Sequence, residues 1–103
     1  MASGLPTIAT NWGGQTEFMN KSNSIVLGYR LVEVPDGSGH LWADPDVTEL
    51  KTAMEEVVQA KYEATPNAKF EQACHEVHRT YTPNVVAREA SELIFRLLAI
   101  VQR

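Results

Sequence analysis

A single cysteine, Cys74, is all that the sequence offers for covalent cross-linking. It excludes an internal disulfide and fits a reducing compartment. Basic side chains are also few: nine Lys and Arg against thirteen Asp and Glu, for a formal net charge of −4 and a pI near 5.3. No five-residue window is rich in Lys or Arg. The clustered positive charge that a nucleic-acid or anionic-membrane surface needs is therefore missing. No apolar stretch reaches membrane-spanning length, and Met1-Ala-Ser-Gly-Leu-Pro6 lacks the apolar core of a signal peptide. These absences predict a soluble, cytoplasmic protein with no membrane span and no nucleic-acid partner. There is no P-loop, no Gly-x-Gly-x-x-Gly, no internal repeat and no linker, and no Ser/His/Asp or Cys/His pairing stands out as a nucleophile.

What is present is ordinary globular material. Apolar residues make up 44% and charged residues 21% of 103 positions, enough for one domain. A chain of this length buries roughly 60–70% of its unfolded surface. Its organisation is set at the start. Gly4 followed by Pro6 is how a helix ends. Thr7-Ile-Ala-Thr10 is a short β-branched run suited to a buried strand, Asn11-Trp-Gly-Gly14 turns the chain, and Gln15 to Met19 begins a short helix. Together they read as one βα step of a parallel α/β domain.

The polar cluster Asn20 to Asn23 closes that helix, and Ser24 to Leu27 reads as a second buried strand. The thirteen residues between Thr10 and Ser24 are about the minimum for a parallel crossover. Gly28 breaks the run, Tyr29 to Val34 continues in extended form, and Pro35-Asp-Gly-Ser-Gly39 turns into His40 to Ala43, which predicts a small hairpin. Asp44-Pro45, Thr65-Pro66 and Thr82-Pro83 each place an acceptor at an N-cap and Pro at the first helical position. They predict helices near Pro45 to Tyr62, Pro66 to Tyr81 and Pro83 to Gln102. The first carries Val47, Leu50, Met54, Val57 and Val58 on one side, and the second carries Phe70, Cys74, Val77 and Tyr81. Both are expected to pack on the sheet with polar outer faces. The third has a wide stripe, including Val85, Val86, Ala90, Leu93, Ile94, Leu97 and Leu98, which calls for cover on more than one side.

Met-Ala-Ser-Gly-Leu-Pro-Thr-Ile-Ala-Thr10, followed by Gly13-Gly14 and Glu17, resembles the group 1 family of nucleotide-sugar glycosyltransferases. The likeness lies in the donor-binding C-terminal domain of their two-domain GT-B fold. It is dense over Met1 to Glu17 and patchy beyond, and Leu27 to Trp42 looks like a longer variant of the family's compact segment. The resemblance implies a partial Rossmann-like, three-layer α/β fragment. In an intact member, sugar passes from a UDP- or GDP-sugar to an acceptor, usually with retention at the anomeric carbon. The family's two donor-site glutamates fall upstream of Met1, as does the acceptor domain. The resemblance thus implies a fragment that is inactive alone, with no cofactor besides the donor and no catalytic residue of its own.

The Gly13-Gly14 turn, at the carboxyl end of a strand and opening a helix, is where α/β sheets bind ligands. One reading makes it a wall of the donor pocket, with Thr10 and Asn11 as hydrogen-bonding neighbours and Glu17 close by. The other makes it a tight turn that needs Gly for backbone reasons, with Glu17 complementing the helix dipole. Cys74, His75 and His78 invite a metal reading, but the histidine spacing is wrong for a zinc-protease helix and Cys74 sits on the apolar stripe. Asp44, Asp46 and Glu49 fit capping, while Trp12 and Trp42 fit burial in a core or interface better than stacking on a sugar or base.

If the earlier strands are missing, Thr7 to Thr10 has an open edge, and the Pro83–Gln102 helix lacks a cover. Both predict a homo-oligomer, most simply a two-fold dimer. The alternative reading is a stand-alone, self-associating interaction or regulatory module without sugar transfer. A third is a nucleotide-binding domain that transfers nothing.

Overall fold

The computed structural model describes residues 1–62 and 67–102. It is mixed α/β, with three helices and two separate two-stranded sheets. Strand β1 (Ile8–Thr10) runs parallel to β2 (Ile25–Leu27), with Ile8 opposite Ile25 and Thr10 opposite Leu27. Their crossover is a single 3-10 turn, Gly14–Glu17, shorter and tighter than the short helix expected from Gln15. Asn20 and Asn23 close it as expected. The Asn23 amide donates to Phe18 O at 2.9 Å and its carbonyl accepts from the Asn20 N–H at 2.8 Å.

The expected hairpin forms from β3 (Tyr29–Glu33) and β4 (Leu41–Pro45), antiparallel and separated from β2 by Gly28 alone. Helix α1 (Val47–Tyr62) follows, then α2 (Ala68–Thr80) and α3 (Pro83–Val101).

The caps depart from expectation. Asp44 does not cap α1. It lies in β4 opposite Arg30 and forms a 3.0 Å ion pair with it, which holds the chain extended through Pro45. The cap is Asp46, whose carboxylate accepts the Glu49 N–H at 3.0 Å. Thr65-Pro66 lies outside the described residues, and the cap of α2 is Asn67, which accepts from the Lys69 N–H. Thr82 does precede Pro83 at the start of α3, but its side chain makes no capping hydrogen bond.

The core is small: Met19, Leu27, Ala53, Phe70 and Ala73, with Ser24 and Asn23 buried beside them. On α1 the face turned inward is Leu50, Ala53 and Val57, and Val47, Met54 and Val58 are exposed. On α2, Phe70 and Ala73 are buried, Cys74 and Val77 are half-buried, and Tyr81 beyond its end is exposed. Neither tryptophan is in the core, which leaves the interface half of the expectation for them. The two-stranded sheets are too narrow to cover them.

Helix α3 contains no buried residue, and from Val86 onward every described side chain is exposed. The radius of gyration is 18.8 Å, against roughly 13 Å for a compact chain of this length. The accessible surface is 8013 Å², against roughly 5,800 Å² for a compact protein of 11.4 kDa. The chain is flat and incompletely enclosed.

Candidate functional site

The turn after β1 is built by its own hydrogen bonds. Thr10 O accepts the Trp12 N–H at 2.8 Å and the Gln15 side-chain amide at 2.9 Å, and the Asn11 N–H donates to Leu27 O at 3.0 Å. Gly13 has φ +90, a conformation that side chains with a Cβ rarely adopt. Its carbonyl accepts both the N–H and the hydroxyl of Thr16. Gly14 has no such φ, and a Cβ there would meet nothing within 4 Å. Backbone geometry therefore explains Gly13 and leaves Gly14 unexplained. The N–H groups of Gly13, Gly14 and Gln15 make no hydrogen bond among the described residues. Adjacent free N–H groups of this kind are the chemistry that receives an anion.

An aromatic pair stands beside the turn. The rings of Trp12 and Tyr29 are 5.3 Å apart and tilted by 48°, and both are about two-fifths exposed. Such a pair joins the crossover turn to the first residue of the hairpin.

The sequence-predicted residues do not all meet. Thr10, Asn11, Gly13 and Gly14 are contiguous around the turn, and all but the half-buried Thr10 are exposed. Glu17 instead lines a small cleft of about 160 Å³ shared with Asn23, Glu76, Arg79 and Tyr81. Its backbone carbonyl lies 3.5 Å from the Tyr81 hydroxyl, and Phe18 packs edge-on to the Tyr81 ring.

Two larger clefts were not foreseen from the sequence. One of about 620 Å³ lies between Leu5, Pro6 and Ile25 on one side and Val57, Ala60 and Phe70 on the other, rimmed by Glu56, Lys61 and Glu71. The one signal for it is Leu5, an apolar residue left exposed between Gly4 and Pro6. A second, of about 530 Å³, lies at the hairpin base near Arg30, Asp44 and Val47.

The Cys74 and His78 pair has a structural explanation. Cys74 Sγ donates to Ala2 O, and His78 Nε2 lies 3.0 Å from the same carbonyl, so both anchor the N-terminal segment on α2. His75 is exposed. Among the described residues, no group of three or more His, Cys, Asp or Glu gathers to hold a metal. At the hairpin tip the Ser38 hydroxyl and backbone N–H hold the Asp36 carboxyl below the usual carboxylate range. That site is far along the chain from the turn and serves the loop.

Among the described residues no helix is long and apolar enough to cross a membrane. No protein-family model matches the chain, and no curated protein or solved structure matches it either.

Proposed function

We propose that these residues form the C-terminal part of the donor-binding domain of a group 1, GT-B glycosyltransferase, a partial Rossmann-like unit with no transferase activity by itself. The observation that carries this reading is the parallel β1–β2 pair. Its crossover bears the Gly13-Gly14 turn at the carboxyl end of β1, and among the described residues β1 has a partner on one side only. Ligands of α/β sheets bind at such strand ends. In this reading Thr10, Asn11, Gly13 and Gly14 form one wall of a nucleotide-sugar site, and Glu17 lies outside that wall, in the cleft beside Tyr81. The working compartment is the cytoplasm.

The coding sequence upstream of Met1 tests it. An in-frame continuation with two glutamates separated by seven residues, the second two positions before Met1, is expected. A stop codon immediately upstream would overturn the reading. The 103-residue chain should also give no donor turnover above a catalytically dead control.

A second reading is favoured by the bare α3: a self-associating module, a homo-oligomer through the β1 edge at Thr7 to Thr10 and through the Pro83–Gln102 helix, without sugar chemistry. Titration calorimetry with UDP and GDP separates either reading from a nucleotide-binding domain without transfer, for which heat of binding without turnover is the signature.

A further inference from the structure

We infer that α3 pairs antiparallel with α3 of a second copy of this chain, in a register fixed by Glu89 and Arg96. The inference rests on the self-association reading above and is independent of any sugar chemistry. At roughly 100° per residue, the apolar arc of α3 runs from Ile100 through Leu93, Leu97 and Ala90 to Ile94 and Leu98, about 160° in width. All of it is solvent-exposed. Leu93, Ile94, Leu97, Leu98 and Ile100 are each 49–66% exposed, a contiguous apolar strip of the kind that marks an interaction surface.

The edges of the arc decide the orientation. One edge carries Glu89 and Arg96, seven residues apart and therefore on the same side two turns along. Neither makes an ion pair among the described residues. The other edge carries the uncharged Ser91. In a two-fold antiparallel pair, like edges meet. Glu89 of each copy then lies beside Arg96 of the other, giving two symmetric ion pairs. The same register sets Ala90 against Leu93 and Val86 against Leu97, small against large. In a parallel pair the charged edge would face Ser91 and find no partner. The axis of these core layers falls between Ser91 and Glu92, beside the middle of the 19-residue helix Pro83–Val101, so nearly the whole helix is used. Glu89 and the facing Arg96 stand about 3 Å out of level, within reach of their long side chains. Glu92 itself lies on the side of the helix away from the seam.

Sedimentation velocity of the full chain tests the proposal, with circular dichroism confirming that each variant keeps its helix content. The wild type is expected to be dimeric at micromolar concentration. Glu89→Arg or Arg96→Glu alone, each creating two like-charge contacts, should weaken association by roughly ten- to thirty-fold. The double variant, and an equimolar mixture of the two single variants, should recover it. A monomeric wild type overturns both this inference and the self-association reading. A dimer indifferent to the single reversals, or a double variant as weak as the singles, overturns the α3 register while leaving pairing through the β1 edge standing.

Discussion

The carboxylate of Glu49 accepts the backbone N–H of Gly28 at 2.6 Å. Gly28 is the one residue between β2 and β3, so this bond ties the first turn of α1 to the point where the two sheets part. A Cβ on Gly28 would stand 3.1 Å from that carboxylate, so a larger residue there requires the Glu49 side chain to give by a few tenths of an ångström. Glu49→Ala is expected to lower stability by about 1 kcal/mol, the exposed setting keeping the cost at the low end for a charged acceptor. Glu49→Gln, which keeps an acceptor, should lose less. Urea unfolding of the three proteins measures the order.

Asn23 holds the crossover together and is buried. Its amide donates to Phe18 O and to Glu76 on α2, and its oxygen accepts the Asn20 N–H. Asn23→Ala removes all three bonds, taking its partner from Phe18 O and from the Asn20 N–H while Glu76 keeps only Gln72, and should cost about 2–3 kcal/mol. Asn23→Asp keeps the acceptor, but loses the donors and sets a second carboxylate beside Glu76. It should be no better than Ala at neutral pH and partly recover at acid pH, read by thermal unfolding.

The two glycines of the turn should separate in a stability assay. Gly13→Ala must take φ 90, ψ −162 with a Cβ, a region essentially confined to glycine, and is expected to cost about 1–3 kcal/mol. Gly14→Ala meets nothing and should change stability by less than about 0.5 kcal/mol. Equal costs would mean that the turn is not held as described.

Asp36 provides a pH-dependent signature. Its carboxyl is depressed in the folded chain, chiefly by the Ser38 hydroxyl and next by the Ser38 N–H. A depressed carboxyl contributes stability above its unfolded pKa, and that contribution disappears as pH falls through the folded one. Ser38→Ala should raise the Asp36 titration midpoint toward the usual carboxylate range while leaving the backbone share of the shift. Carboxyl NMR titration between about pH 2 and 6 reads it directly.

Local signals in the sequence carried much of this architecture. The β-branched runs at Thr7 to Thr10 and Ser24 to Leu27, the turn chemistry at Pro35 to Gly39 and the periodicity of three helices all act within a few residues. Those elements lie where they were expected. The expectation that failed at Asp44 did so because a cap and a strand end look alike along the chain. The choice belonged to Arg30, fourteen residues away. The inward face of α1 was misjudged for a similar reason: periodicity marks a stripe, but the neighbours decide that Ala53 goes in and Met54 stays out. The candidate turn was legible at Gly13, where a positive φ demands glycine. The clefts near Leu5 and at the hairpin base were not, since each is lined by segments that no spacing rule connects.

The open surface of this chain has a thermodynamic consequence. Unfolding releases only the area that folding had hidden, and here much of the apolar area stays wet in the folded state. Both the urea slope and the heat-capacity increment should therefore fall short of what 103 residues ordinarily yield. Docking α3 against a second copy would steepen the transition and make its midpoint rise with protein concentration.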